Sequence, residues 1–435
     1  MTTLDLSAIL TEVVDATTKG YPLAAAPLPL AAIGAQGWSL FGGDLPLPLA
    51  VIRDSALAHN HVWMRDFTTA TGVLLAPHGK TTMAPQIFAQ QLAAGAWGMT
   101  VANVQQLGIC ARFGVRRVLM ANQLLGALEV RSVIDLLKRH PDLEFHFLVD
   151  SLVQLASIEA AAAGNPPPRK LGALIELGVP GGRTGLRTHD AALAVARQVA
   201  ASRFVALSGI ECYEGLQITG DAQQDALTVG ALMHRVQELA LACDREGLFA
   251  DPFIILTAGG SAAFDIVARE LPMRLSKPVL TILRSGCYVT HDSGNYERLL
   301  AGVKARSGVE WQTRAGLQPA LEVWSRVQSV PEPGLAILTM GKRDASYDIE
   351  MPIALKRFRP GPGATPQSVP AGWTITGMND QHAYLRWSTD EFDPPQVGDL
   401  IGCGISHPCT TFDKWRVLFT VDDAYRVTGA IRTYF

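Results

Sequence analysis

The sequence predicts an α/β protein in which a (β/α)8 TIM-like barrel is followed by a C-terminal β domain. Between about residues 70 and 285, short apolar runs alternate with amphipathic stretches, which is typical of parallel strands joined by crossover helices. After about residue 300 the runs become rich in Thr, Val and aromatic residues and are separated by Pro and Gly, which is typical of an all-β unit. The chain of 435 residues is long enough for both domains.

The barrel prediction rests on eight strand candidates separated by helical patterns such as Ala127–Arg139 and Asp221–Arg245. Eight repeats of a strand followed by a helix indicate a closed barrel. The strand candidates are Val73–Pro77, Gly98–Val101, Val115–Met120, Glu144–Val149, Leu171–Leu177, Phe204–Ile210, Pro252–Leu256 and Val279–Leu283.

We divide the chain into an N-terminal extension (1–57), the barrel (58–300) and the β domain (301–435). The pattern alone does not assign the probable strand Leu47–Ile52 to either domain, and our division places it on the β domain. The Pro-rich stretch Arg357–Pro370 is predicted to be a surface loop, because proline removes backbone donors. The strand-like runs of the β domain are Leu317–Val330, Trp373–Met378, Ala383–Ser388 and Trp415–Val421.

Composition excludes several classes of function. The net charge is −3 with both signs scattered, so we expect no nucleic-acid partner. The N-terminus has no signal-peptide pattern and no apolar run reaches membrane-spanning length, which predicts a cytoplasmic protein with no membrane partner. The six cysteines show no close pairing, so we expect buried or chemically used thiols rather than disulfides; they are Cys110, Cys212, Cys243, Cys287, Cys403 and Cys409.

The first candidate site is the segment Pro77-His78-Gly79-Lys80-Thr81, which ends the first predicted barrel strand. Barrel enzymes place their reacting groups at the C-terminal ends of strands, so Lys80 points to the mouth of the barrel. A partly desolvated lysine there has a pKa lowered towards the range in which it forms imines. The alternative is an ordinary surface lysine beside a turn.

The second candidate site is the pair of loops after strands seven and eight, Thr257-Ala258-Gly259-Gly260-Ser261 and Arg284-Ser285-Gly286-Cys287-Tyr288. Barrels commonly bind a phosphate with these two loops, because glycine lets backbone N–H groups approach it closely. We predict Gly259, Gly260, Ser261, Ser285 and Gly286 as the phosphate-binding residues. The alternative for Gly-Gly-Ser is a turn with a helix N-cap.

The third candidate is a metal pair, His407 and Cys409, in the β domain. If this segment is extended, side chains two residues apart face the same way, so the imidazole and the thiolate can bind one metal ion. Such ligands suit zinc, with the remaining positions left to water or substrate. The alternative is a packed cysteine beside an exposed histidine.

Two more side chains belong at the predicted barrel mouth. Arg183 lies on the Gly-rich loop after strand five, where it can donate to an anionic oxygen; a solvated arginine is the alternative. Tyr213, after strand six, can pack against a planar ring, or it is an ordinary core residue.

Together these motifs resemble the family of D-serine dehydratases and D-threonine aldolases, which are alanine-racemase-like (fold type III) pyridoxal-phosphate enzymes. The resemblance spans residues 45 to 425. It implies that Lys80 holds pyridoxal 5'-phosphate as a Schiff base, that Arg183 bonds the phenolic oxygen of the cofactor, and that the two loops hold its phosphate. It also implies a divalent metal, Zn²⁺ or alternatively Mn²⁺, on His407 and Cys409. It further implies a catalytic role for His382 near that metal, in supporting the ligands or transferring a proton; an ordinary histidine of a surface loop is the alternative.

The resemblance predicts a lyase acting on D-β-hydroxy amino acids. Dehydratase-like members usually carry Cys two residues after the metal histidine, as here, whereas D-threonine aldolases usually carry Asp. We therefore favour dehydration to a 2-oxo acid and ammonia over retro-aldol cleavage to glycine and an aldehyde. An amino-acid racemase and a non-catalytic cofactor-binding protein are further alternatives. The resemblance also implies a homodimer.

The chain departs from the family pattern in several places, which leaves the substrate open. Gly178 stands where relatives often have an acid, and Asn103 and Gln105 stand where a Thr and a Glu are common. The N-terminal extension and the Pro-rich insert are also unusual.

Overall fold

The computed structural model describes residues 3–306 and 314–435, and it has the predicted fold class. A short N-terminal segment comes first, then a parallel barrel, then an antiparallel β domain. None of the helices in the described ranges has the length and hydropathy needed to cross a bilayer. The N-terminal segment consists of helix α1 (Ser7–Leu10), strands β1 (Val13–Val14) and β2 (Leu28–Pro29), a 3₁₀ helix (Leu30–Ala35) and strand β3 (Leu49–Arg53).

All eight predicted barrel strands are present, with small shifts at their ends. The strands are β4 (Leu74–Leu75), β5 (Met99–Val101), β6 (Arg117–Gln123), β7 (Glu144–Val149), β8 (Leu171–Leu177), β9 (Val205–Cys212), β10 (Ile254–Ala258) and β11 (Val279–Leu283). The helices are α2 (Asp54–Thr71), α3 (Pro85–Ala93), α4 (Val104–Arg112), α5 (Ala127–Arg139), α6 (Leu152–Ala163), α7 (His189–Ala201), α8 (Ala222–Arg245), α9 (Phe264–Glu270) and α10 (Asn295–Arg306), with 3₁₀ helices at Gly79–Thr81, Gly215–Gln217 and Cys287–Val289.

The barrel sheet has the strand order β4-β11-β10-β9-β8-β7-β6-β5, with parallel pairing throughout. The ring closes between its first and last strands through a single parallel bridge between His78 and Thr100. Two backbone hydrogen bonds support this closure, from Trp97 N to Leu75 O (2.7 Å) and from Thr100 N to Pro77 O (2.8 Å). Every residue of β8 and β9 is buried, as expected for strands covered on both faces.

The β domain contains the predicted strands, and the N-terminal strand joins its sheet. Strand β3 pairs antiparallel with β12 and parallel with β19. The stretch Arg357–Pro370 is not a simple loop, since its two ends pair with each other as β14 and β15. The elements are β12 (Leu321–Glu332), β13 (Leu335–Leu338), β14 (Ile353–Phe358), β15 (Gln367–Ser368), β16 (Thr374–Met378), β17 (Ala383–Arg386), β18 (Leu400–Gly404), helix α11 (Cys409–Phe412), β19 (Val417–Val421) and β20 (Val427–Arg432).

The β domain packs against the part of the barrel that follows its first strand. Tyr434 N donates to Met83 O (2.9 Å), and Gln86 on α3 donates to Ala430 O (3.2 Å). Helix α11 lies against the 3₁₀ helix that carries Lys80. The short helix with Cys409 is therefore next to the turn with Lys80, although the sequence separates them by more than 300 residues.

Candidate active site

A cavity of about 450 Å³ lies at the C-terminal ends of the barrel strands, where barrel enzymes carry their active sites. Both domains contribute side chains to it. A larger cavity of about 760 Å³ lies at the opposite end of the barrel and contains no predicted site residue. The predicted residues that line the first cavity are Lys80, Arg183, Tyr213, Gly259, Gly260, Ser261, Gly286, His407 and Cys409.

Lys80 lies on the 3₁₀ helix directly after the first barrel strand, and its side chain is exposed to the cavity. The expected partial desolvation of this lysine is therefore absent. A side chain at Gly79 would bring its Cβ to 2.9 Å from the ring of Phe88, so the tight packing of this turn requires glycine. Lys80 therefore follows a glycine that packs closely on Phe88 at the end of the apolar strand.

His78 precedes this turn and lines the same cavity. Burial, together with the positive charges of Lys80, Arg284 and Arg183, holds the pKa of His78 well below its ordinary value. The imidazole is therefore neutral, and its buried Nδ1 atom has no hydrogen-bond partner among the described residues.

The two glycine-containing loops come together as predicted, but some of their donors are already used. The carboxylate of Glu214 accepts the N–H groups of Gly259 (3.0 Å) and Gly260 (2.7 Å). In the described part of the chain, the N–H groups of Ser261 and Gly286 have no acceptor. Glu214 therefore holds the first loop in place. The N–H group of Ser261, the next residue along the chain, stays free to bind an anion.

Ser285 does not line the cavity directly. Its hydroxyl donates to the carbonyl of Gly260 at 3.0 Å, which ties the second loop to the first. Gly286 packs closely on the lysine turn, because a Cβ at this position would lie 2.6 Å from the carbonyl oxygen of His78. The two loops and the lysine turn thus form one packed rim.

The Gly-rich loop after β8 carries Arg183, whose guanidinium carbon lies 4.5 Å from the centre of the Tyr213 ring. This distance is typical of a cation–π contact. The arginine is exposed and lines the cavity, so its donors remain available to an anionic oxygen. The contact sets the position of the tyrosine ring as well.

Arg187 braces this loop from outside the cavity. Its guanidinium donates to the carbonyls of Thr184 and Gly185 (2.5 and 2.6 Å) and to those of Gly182 and Arg183 (3.0 and 2.8 Å). A Cβ at Gly178 would lie 1.9 Å from the same guanidinium. Such a Cβ would also lie 2.1 Å from the backbone oxygen of Thr184, which cannot move without shifting the loop, so the close packing here requires glycine at position 178.

Glu211 and Arg284 are buried in contact with each other at the floor of the cavity, and sequence reasoning assigned neither of them a role. Arg284 also donates to Thr257 Oγ1 (2.8 Å) and to the carbonyl of Cys212 (3.0 Å). Burial raises the pKa of Glu211 to about 8, with Glu176 and Glu214 adding to the effect and Arg284 opposing it. The Oε2 atom of Glu211 is buried without a hydrogen-bond partner among the described residues.

His407 and Cys409 meet at the cavity, but not on an extended strand as the sequence suggested. Strand β18 ends at Gly404, and Cys409 begins the one-turn helix α11. Burial lowers the pKa of His407, but hydrogen bonds with Cys409 and Asp348 outweigh it and raise the pKa to about 9. Hydrogen bonds from Cys287 and His407 hold the pKa of the Cys409 thiol well below its ordinary value, against the effect of burial.

Asp348 orients the metal-pair histidine, and sequence reasoning missed it. Its Oδ2 atom lies 2.6 Å from Nδ1 of His407, and its Oδ1 accepts the hydroxyl of Thr410 at 2.7 Å. Because Asp348 takes Nδ1, Nε2 is the ring nitrogen that faces Cys409. Within residues 3–306 and 314–435, no group of three His, Cys, Asp or Glu side chains is arranged to hold a metal ion.

The structure does not bring His382 to the cavity. It lies in the turn between β16 and β17, its side chain is exposed, and its carbonyl accepts the N–H group of Asn379 at 2.9 Å. Its catalytic role remains a prediction. Tyr296, at the start of α10, does line the cavity, although nothing in its sequence context marked it.

The chain resembles known proteins over most of its length. Residues 320–421 match the family described as "Putative serine dehydratase domain". The chain is 25% identical over 318 residues to a 3-hydroxy-D-aspartate aldolase of Paracoccus denitrificans (72% of this chain, 76% of the relative). It is 24% identical over 361 residues to a D-threonine aldolase of Arthrobacter sp. (81% and 82%). It is also 30% identical over 152 residues to a D-threo-3-hydroxyaspartate dehydratase of Delftia sp. (strain HT23) (35% and 39%).

Solved structures share the fold. The D-threonine aldolase of Filomicrobium marinum superposes with a TM-score of 0.76 at 21% identity, covering 91% of this chain and 97% of that one. The Delftia dehydratase superposes with a TM-score of 0.68 at 20% identity (90% and 98%). Two further structures of a D-threo-3-hydroxyaspartate dehydratase carry alanine in place of a histidine or, in a metal-free form, in place of a cysteine two positions later.

Proposed function

The chain belongs to the D-serine dehydratase and D-threonine aldolase family, and on that basis we propose that it is a pyridoxal-phosphate- and metal-dependent dehydratase. Its substrate is a D-β-hydroxy amino acid of the D-serine or D-threonine type, and its products are a 2-oxo acid and ammonia. The observation that carries the proposal is the convergence of Lys80 from the barrel with His407 and Cys409 from the β domain on one cavity.

The residues of the cavity fit pyridoxal 5'-phosphate. The free N–H groups of Ser261 and Gly286 suit its phosphate, and the rim leaves no room for a side chain at Gly286. The orphaned Oε2 of Glu211 and the Tyr213 ring under Arg183 suit a polar aromatic ring. The volume lies within the roughly 300–1,000 Å³ that is usual for ligand sites. When bound, this cofactor withdraws electrons from the Cα atom of an amino acid.

The metal pair fits a catalytic rather than a structural ion. An imidazole that gives up its proton on metal binding and a thiolate suit zinc, with Mn²⁺ as the alternative, and two protein ligands leave positions open for substrate. His407 and Cys409 supply these ligands, and Asp348 holds the imidazole by its other nitrogen. When bound, the metal acts as a Lewis acid on the substrate hydroxyl.

The side chains of this chain then have separate tasks. Lys80 holds the cofactor and, once released, takes the α-proton at its Nζ atom. Arg183 donates to an anionic oxygen of the cofactor. Lys80 comes from the barrel and the metal ligands come from the β domain, and all three face the same cavity. The α-proton and the β-hydroxyl of one bound substrate are therefore handled by side chains of two different domains.

Dehydration is favoured over retro-aldol cleavage by the cysteine at position 409. A D-threo-3-hydroxyaspartate dehydratase of known structure has a histidine and a cysteine with the same spacing, and the structure of its cysteine-to-alanine variant is of the metal-free form. The aldolase is the second candidate, because two relatives that align over more than 70% of this chain are aldolases. Both reactions use the same lysine and metal and differ in the bond that breaks.

An assay of the two product sets tests the proposal. The purified full-length protein, supplied with pyridoxal phosphate, is incubated with D-serine, D-threonine and D-3-hydroxyaspartate, with and without added Zn²⁺ or Mn²⁺. Ammonia with an equal amount of 2-oxo acid supports the dehydratase. Glycine with an aldehyde supports the aldolase instead. Racemisation that survives a chelator, or no turnover of any D-β-hydroxy amino acid, contradicts both.

A further inference from the structure

Two thiols from different domains lie in contact at the edge of the cavity. Cys287 begins the 3₁₀ helix after the last barrel strand, and Cys409 begins α11 in the β domain. Their Sγ atoms are 3.6 Å apart, although 122 residues separate them in the sequence. The side chain of Thr81 joins them, with its Oγ1 atom 3.5 Å from Cys409 Sγ and 3.9 Å from Cys287 Sγ.

These two cysteines differ from the others in their access to the cavity. Both line it, and Cys409 is half-buried whereas Cys287 is only 6% exposed. A small oxidant that enters the cavity therefore reaches Cys409 first and finds Cys287 directly behind it. The four remaining cysteines are buried and do not line the cavity; they are Cys110, Cys212, Cys243 and Cys403.

We propose that Cys287 and Cys409 form a reversible disulfide whenever no metal occupies Cys409, so that the site is also a thiol switch. A disulfide bond is about 2.05 Å long, so the sulfurs must approach by roughly 1.5 Å, shared between two side chains. Both thiols lie at the first residue of a single helical turn, where a small side-chain rotation does not require a strand or long helix to move.

The oxidant is a hydroperoxide, and the step balances as follows. The Cys409 thiolate attacks one oxygen of hydrogen peroxide, the O–O bond breaks, and the departing hydroxide takes a proton to become water. Cys287 then loses its proton and attacks the sulfenic sulfur of Cys409. The S–O bond breaks and a second water leaves. Two thiols are oxidised and one peroxide is reduced to two waters.

The disulfide has two consequences. It consumes the sulfur that the proposed function assigns to the metal, so metal binding and disulfide formation exclude each other. It also links the barrel covalently to the β domain across the mouth of the cavity. Formation of the bond in metal-free protein does not depend on the proposed function, whereas protection by metal rests on it.

Mass spectrometry of the full-length protein tests the inference. Metal-free protein is treated with hydrogen peroxide, alkylated and digested without reduction. We expect an intact mass lower by two hydrogen atoms, a linked peptide pair containing Cys287 and Cys409, and full reversal by dithiothreitol. In Cys287→Ser we expect no link and irreversible oxidation of Cys409 to sulfinic acid. The control Cys403→Ser, which removes a buried thiol of the domain that carries Cys409, should form the link normally.

Two results overturn the switch. One is sulfinic acid at Cys409 of the unsubstituted protein with no linked peptide. The other is reversible oxidation of Cys409 in Cys287→Ser to the same extent as in the unsubstituted protein. A parallel sample loaded with Zn²⁺ separates the two proposals, since metal on Cys409 must slow the link at least tenfold. A link that forms equally fast with zinc present contradicts the metal role of Cys409 and leaves the disulfide standing.

Discussion

Asp348 determines what His407 can offer to a metal ion. A histidine whose Nδ1 atom is bonded to a carboxylate presents only Nε2 to a ligand, and the bond fixes the orientation of the ring. Here the distance is 2.6 Å, and Thr410 holds the other carboxylate oxygen, so Asp348 is itself fixed. The histidine is therefore prepared for metal binding before any metal arrives.

The first prediction concerns this carboxylate. Asp348→Asn should weaken Zn²⁺ binding by about 10–100-fold, because the imidazole loses its orientation and part of its basicity. Competition with a chromogenic chelator measures the affinity independently of activity. Asp390→Asn, at an exposed position of the same domain, is the control and should bind zinc as the unsubstituted protein does. Equal affinity of the two variants would show that Asp348 has no positioning role.

The second prediction concerns Lys80. Borohydride reduction of the protein with pyridoxal phosphate should attach a pyridoxyl group to residue 80, and peptide mass mapping locates the label. Lys80→Arg should lose the label and at least 10²–10⁴-fold of turnover, because it removes the amine that holds the cofactor and the α-proton base. Lys138→Arg, at an exposed position on α5, should keep both. A label that persists on Lys80→Arg would disprove the assignment.

At the scale of single residues, the sequence allowed prediction of those residues whose chemistry is unusual for their position. Lys80, His407 and Cys409 were predicted from residue type and place along the chain, and all three line the cavity. Asp348 was missed because its contact with His407 bridges 59 residues and no local pattern encodes it. The pairing of Cys287 with Cys409 was missed for the same reason, since the two domains create it.

At the scale of elements, the loop after β8 depends on close backbone packing. Gly185 has a φ of +92°, and its N–H group donates to Asp150 Oδ2 at 2.9 Å. A Cβ at this position would lie 2.5 Å from the backbone nitrogen of Gly178. Gly181 in the same loop also has a positive φ, of +72°, but a Cβ there would meet no atom within 4 Å. Alanine at position 181 would therefore bear only the cost of a positive φ, whereas alanine at position 185 would also collide with the backbone of Gly178.

The third prediction uses this contrast. Gly185→Ala should displace the loop that carries Arg183, and we expect pyridoxal phosphate to bind at least tenfold more weakly. Gly181→Ala should bear a similar cost of positive φ, about 1–2 kcal/mol of unfolding free energy, but leave cofactor affinity within about twofold. Fluorescence titration with the cofactor and urea unfolding measure the two effects. Similar cofactor affinity of both variants would mean that the close approach at Gly185 does not position Arg183.

The helices and strands could be predicted from the sequence wherever a single hydrophobic period dominates. The buried strands of the barrel are continuous apolar runs between amphipathic helices, and all eight were found from this rhythm. The segment at His407 and Cys409 was predicted as extended but is a turn of helix, because Pro408 already has helical φ and ψ and the chain reverses there. The pair still meets because His407 lies before the helical turn, where Asp348 rather than helical periodicity sets the orientation of its ring.

At the scale of the whole molecule, a buried histidine in the barrel, away from the candidate active site, affects how stability depends on pH. His146 on β7 is 6% exposed, and its Nδ1 atom has no hydrogen-bond partner among the described residues. Burial lowers the pKa of this histidine to about 4, with the charge of Asp251 opposing the shift and that of Arg169 adding to it. The imidazole must therefore stay neutral in the folded protein.

The fourth prediction follows from this pKa by linkage. The unfolded chain binds a proton at His146 below about pH 6.5, whereas the folded protein does so only below about pH 4. The contribution to stability is thus fully present above pH 6.5 and is lost as the pH falls towards 4. At pH 4.5 the loss is about 2–3 kcal/mol. His146→Leu should remove this pH-dependent contribution to stability. Its free energy of unfolding should therefore fall less between pH 7.5 and 4.5 than that of the unsubstituted protein.

Urea unfolding at the two pH values checks this, and the comparison between variants cancels the titration of all other groups. His189→Leu, at an exposed position at the start of α7, is the matched control and should keep the full pH dependence. If the free energy of unfolding of His146→Leu falls as much on acidification as that of His189→Leu, then protonation of His146 does not cause the loss of stability at low pH. The carboxylates paired with arginine on the surface and between the domains would then carry the pH dependence instead, because they lose their ion pairs when protonated.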